Sequence, residues 1–103
     1  MDAALLDQLS ASAAQASHFL RSLANEKRLL VLCQLMEGER SVGSLAAQVD
    51  LSQSALSQHL TKLREDGLVA TRRDGQTIYY RLADRRVEAI ITLLYEQFCK
   101  TNC

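Results

Sequence analysis

Apolar positions recur along this chain with two different periods, and the changes of period mark its elements. Leu5, Leu9, Ala13, Ala16, Leu20 and Leu23 follow one another at three- and four-residue steps, which predicts a first helix with an alanine-rich apolar stripe. Asn25 has the side chain to cap a second helix from Glu26 to Met36, with Leu29, Leu32, Cys33 and Met36 on one side. Gly38 is placed to end it. Ser41 opens a third helix, Val42 to Val49, and Asp50 and Leu51 form a turn. Ser52 then caps a fourth helix, along which Leu56, Leu60 and Leu63 stand at i, i+4 and i+7 and face inward. Asp66-Gly67 closes it, the glycine suiting a left-handed residue after the last turn.

Beyond Gly67 the pattern changes to that of strands. Leu68 to Arg73 and Thr77 to Leu82 are rich in β-formers and flank Asp74-Gly75-Gln76, a strong hairpin signal. Asp84 caps a long last helix with Val87, Ile90, Ile91, Leu94, Tyr95 and Phe98 on one stripe, and Cys99 falls one helical step beyond Tyr95. The expected fold is mainly α with a β-hairpin wing, in the order α-α-α-α-β-β-α. It is a winged helix-turn-helix, one domain over residues 1–103, and such an arrangement is a device for holding DNA.

A chain of 103 residues builds only a small core, and a dimer is the most direct way to bury more apolar surface. Hydrophobic content of 48% with 23% charged residues argues against disorder. No apolar run approaches the length needed to cross a bilayer and no basic-then-apolar leader follows Met1, so the cytosol is the expected location, with no membrane partner. The formal net charge of zero does not advertise nucleic acid. Between Lys62 and Arg86, however, seven cations (Lys62, Arg64, Arg72, Arg73, Arg81, Arg85, Arg86) face four acids (Glu65, Asp66, Asp74, Asp84). The three cysteines do not read as a disulfide framework in a cytosolic chain; they are open to reading as buried hydrophobes, metal ligands or redox thiols. No Cys-x-x-Cys, nucleophile-base constellation or glycine-rich phosphate loop is present, so neither an enzyme nor a cofactor is expected.

The inward leucines of the fourth helix leave Gln53, Ser54, Ser57, Gln58, Thr61 and Lys62 pointing outward. A helix entering the major groove reads base edges with its N-terminal residues, and glutamine suits adenine. Ser52 and the first-turn N–H groups can hold a phosphate. Lys62 and Arg64 lie nearer the flanking backbone, and Arg72, Arg73 and Gln76 of the wing are expected at the minor groove or adjacent phosphates. His59 neighbours the core leucine Leu60 and reads equally as a packed or surface histidine or as a base contact.

The span LSQSALSQHLTKLREDGLV, with LANEKRLLVL before it and the Arg-Arg-Asp-Gly wing after it, resembles the ArsR/SmtB family of small winged-helix repressors. The resemblance runs from about Ala14 to Cys99. It implies a homodimer formed mainly by the first and last helices, bound to a pseudo-palindromic operator and released by a chemical signal. Family metal sites use paired cysteines in the helix before the helix-turn-helix, or Asp and His along the last helix. Here the matching segments are RLLVLCQL, with the single Cys33, and DRRVEAIITLLYEQFC, which has no histidine, so a mixed N/O metal site is not expected.

Cys33 and Cys99 are placed as in the HlyU/BigR/SqrR branch, which is associated with reactive sulfur species and oxidants. The resemblance implies a repressor whose Cys33 and Cys99 join as a disulfide or polysulfide bridge and so release DNA. Thiolate chemistry accommodates this, provided the Cα atoms come within about 7 Å. The alternative is a soft metal or metalloid ion held by cysteine thiolates, with Cys33, Cys99 and Cys103 as a three-thiolate site. Otherwise Cys103 is a spare tail thiol, and His18 is a surface or interface residue.

Overall fold

The structure is a computed structural model that describes residues 2–99. The elements run α1 (Ala3–Leu23), α2 (Glu26–Leu35), β1 (Arg40–Ser41), α3 (Val42–Val49), α4 (Gln53–Glu65), β2 (Val69–Asp74), β3 (Thr77–Leu82) and α5 (Arg85–Leu94), followed by a π-helical turn, Tyr95–Cys99. The caps read from sequence are formed. Asn25 accepts from the Arg28 N–H at 3.1 Å, Ser41 from Ser44 at 3.2 Å and Ser52 from Ala55 at 3.1 Å. Asp84 accepts from Arg86 at 2.9 Å. Each satisfies one of the amide groups that a helix start leaves unpaired.

Leu32, Leu45, Leu56, Leu60, Leu63 and Val87 are fully buried and join α2, α3, α4 and α5 in one core. At the end of α4, Gly67 takes φ 74° while the Leu68 N–H returns to Leu63 O at 2.9 Å and the Gly67 N–H to Arg64 O at 3.0 Å. This paired closure sends the chain directly into β2. Asp50 holds a left-handed φ of 56° in the turn between α3 and α4, and Lys27 caps the end of α3 by donating to Val49 O at 2.9 Å.

Three features depart from the expectation. First, the sheet has three antiparallel strands in the order β1-β3-β2, because Arg40 and Ser41 pair with Tyr80 and Tyr79. Second, Asp74 pairs with Thr77, so the hairpin turns on two residues, Gly75 and Gln76, with Gly75 at φ 64°. Third, the last helix is not α-helical as far as Cys99 but widens into the π turn at Tyr95. The α1 stripe stays largely outside the core. Leu23 is buried, whereas Leu5, Leu9 and Leu20 are each about half exposed. Among the described residues no helix is long and apolar enough to cross a membrane.

Candidate nucleic-acid interface and dithiol groove

The core leucines fix the rotation of α4, and that rotation leaves Gln53, Ser54, Ser57, Gln58, Thr61 and Lys62 exposed, with His59 half-buried. Ser52 is exposed too, but its Oγ is already the acceptor of the cap, so toward a phosphate it has only its hydroxyl hydrogen to offer. Lys62 reaches Asp66 at 3.5 Å. In the wing, Arg72, Arg73 and Gln76 are all exposed. Arg73 has no ion-pair partner among the described residues, whereas Arg72 is engaged: its Nε lies 2.8 Å and 2.9 Å from the two Glu39 carboxylate oxygens. Sequence reasoning missed Glu39, because only the unforeseen β1 brings that loop beside the sheet.

The end of α4 is tied to α1. Asp66 accepts from Ser22 Oγ and from His18 Nε2, the latter at 3.1 Å, and its side chain is 9% exposed. Burial pushes its carboxyl upward, but the Ser22 and His18 hydrogen bonds and the Lys62 charge together outweigh that and hold it below the usual carboxylate range. His18, expected at the surface or an interface, is a surface residue bonded to Asp66.

Cys33 and Cys99 line one groove of about 730 Å³ between α2 and the end of α5. Its walls are Leu29, Met36, Ile91, Leu94, Tyr95 and Phe98. Helix α2 therefore has two apolar faces: Val31, Leu32 and Leu35 enter the core, while Leu29, Cys33 and Met36 face the groove. Leu32 does not share a side with Cys33 as the stripe suggested. Cys33 is exposed and Cys99 half-buried, and both are free thiols. Although much of Cys33 meets solvent, partial burial of its thiol raises its pKa above the ordinary value, and the negative charge of a Cys99 thiolate adds to that rise. Cys33 is accordingly a protonated thiol at neutral pH rather than the ready thiolate that redox chemistry calls for. Among the described residues no three metal-ligating side chains cluster, and Cys103 lies outside them.

Residues 25–71, from the α2 cap to β2, match the model of the bacterial regulatory protein, arsR family. The chain is 47% identical over 97 residues to the transcriptional activator HlyU of Vibrio cholerae, covering 94% of this chain and 90% of that one. The chain belongs to the arsR family. A solved structure of the reduced V. cholerae HlyU superposes with a TM-score of 0.85, over 90% of this chain and 98% of that one, at 47% identity. The repressor BigR of Xylella fastidiosa superposes at 0.86 with 39% identity, over 90% and 95% of the two chains. A homodimeric winged helix-turn-helix DNA-binding domain from Mycobacterium bovis follows at 0.73 and 34% identity, over 85% and 82%. The arsR-family chain is thus a DNA-binding transcriptional regulator and not an enzyme, and its relatives include HlyU and BigR, of the branch that the cysteine placement resembles.

Proposed function

We propose that the protein is a homodimeric repressor switched by oxidation or persulfidation of Cys33 and Cys99. The observation that carries this is the single groove shared by the two thiols, one on α2, which leads into the helix-turn-helix, and one at the end of α5. The existence of a reduced form of HlyU supports it. An organic persulfide, R–S–SH, supplies the chemistry. The minor thiolate form of Cys33 takes its terminal sulfur and releases R–S⁻, and Cys99 then attacks the Cys33 sulfur and expels hydrosulfide. Two thiols become one disulfide, and the persulfide leaves as a thiol and hydrogen sulfide. A peroxide reaches the same product through a sulfenic acid and water. A bond between α2 and the π turn that follows α5 exchanges one packing of the helices for another and misplaces the reading helices, which a dimer must set roughly 34 Å apart.

On DNA, Gln53, Ser54, Ser57 and Gln58 face bases, with His59 beside them. Ser52, Lys62, Arg73 and Gln76 serve the backbone and the flanking groove. Operator affinity of wild type, Cys33→Ser and Cys99→Ser, before and after an organic persulfide, tests the switch, with mass spectrometry of the products. Wild type should lose affinity and the variants keep it; equal loss in all three would refute the switch.

A further inference from the structure

Cross-strand partners lie on one face of a sheet. Arg72 on β2 pairs with Tyr79 on β3, and Tyr79 pairs with Ser41 on β1, so the three form one row across the wing. Glu39 lies two residues before Ser41. The Arg72 guanidinium lies 4.6 Å from the Tyr79 ring centre and reaches beyond it to Glu39, with an Nη2 contact of 2.7 Å besides the two Nε contacts. A planar guanidinium stacked on a ring and forked onto a carboxylate is a far more determined geometry than an ordinary surface ion pair.

We propose that Glu39 is a positioning residue that withholds Arg72 from DNA and uses it as a strap fastening the wing to the loop after α2. This rests on the reading of the wing as a phosphate-contacting element. The physical reason is charge. Nucleic-acid affinity follows the number of phosphates neutralised, and an arginine already neutralised by Glu39 adds none. Asp74, 4.0 Å from Arg72, weighs the same way. Arg73 points to the opposite face of β2 by strand alternation and has no such partner among the described residues. The wing therefore offers Arg73 to the backbone and spends Arg72 on its own geometry. The strap also joins the wing to the Glu37–Glu39 stretch, and Glu37 lines the dithiol groove.

The test is the salt dependence of binding to a fluorescein-labelled duplex of mixed sequence, read by anisotropy from about 50 to 200 mM KCl. Arg73→Gln should flatten the slope of log affinity against log salt by about one, and Arg72→Gln by far less. Glu39→Gln should steepen it by up to about one, because the released guanidinium becomes free for a phosphate. If Glu39→Gln fails to fold, the comparison of Arg72→Gln with Arg73→Gln still decides the matter. Equal flattening by Arg72→Gln and Arg73→Gln would overturn the proposal. Wild-type binding without salt dependence would overturn the phosphate-contact reading of the wing, and the strap with it.

Discussion

Cys33 shows how one side chain's surroundings set the terms of its chemistry. Its raised pKa means that only a small fraction is thiolate at neutral pH, and thiolate is the attacking species. The reaction of Cys33 with a chromophoric aromatic disulfide, an electrophile that does not itself titrate in this range, should therefore accelerate about tenfold per pH unit from neutral into mildly alkaline solution, as the thiolate fraction grows. Stopped-flow kinetics would check this, and a flat profile would mean that the thiol is already ionised. Asp66 works in the opposite sense. Its folded-state pKa is depressed, so its stabilisation is complete above the unfolded value of about 3.9 and is lost as pH falls through the lower folded value. Asp66→Asn should cost about 1–2 kcal/mol near neutral pH and remove that acid-side loss, as followed by thermal melts across pH 2 to about 6.

Among the elements, those defined by local chemistry were legible in the sequence. Helix α3 and strand β3 have the bounds that Ser41, Asp50 and the Thr77–Leu82 pattern indicate, and the buried leucines of α4 were named from their spacing. What escaped depends on distant partners. Arg40 and Ser41 are a strand only because Tyr79 and Tyr80 lie beside them, and no two-residue window carries that information. The second apolar face of α2 was concealed because Leu32 and Cys33 are neighbours in one apolar run, and the placing of α5 divides them between core and groove. The start of α4 offers a prediction that separates folding from reading. Ser52→Ala should cost about 1 kcal/mol through loss of the cap. Ser52→Asp should hold the melting temperature, since aspartate caps as well as serine, yet weaken DNA binding because its carboxylate meets the phosphates. Parallel loss of stability and binding in both variants would assign Ser52 to the cap alone.

For the molecule as a whole, shape bears on the proposed homodimer. The radius of gyration is 15.5 Å, where a compact chain of this length has about 13 Å. Helix α1 stands largely in water: every residue from Asp2 to His18 is exposed, and Leu5, Leu6 and Leu9 are each about half uncovered. At the other end of the chain Leu93 and Phe98 are 49% and 67% exposed. An isolated amphipathic helix standing in water gains little from its leucines, since helical stability in proteins comes chiefly from packing an apolar face. These surfaces are what an isologous two-fold interface would cover, and they belong to the two helices expected to form it. Leu5→Glu with Leu9→Glu should therefore shift sedimentation from dimer to monomer while circular dichroism still reports the α2–α5 core. Because two half-sites are held only by a linked pair of reading helices, operator affinity should fall by at least about a hundredfold, with affinity for a half-site duplex little changed. If the charged variant still sediments as a dimer, the interface lies on another face and α1 is exposed for a different partner.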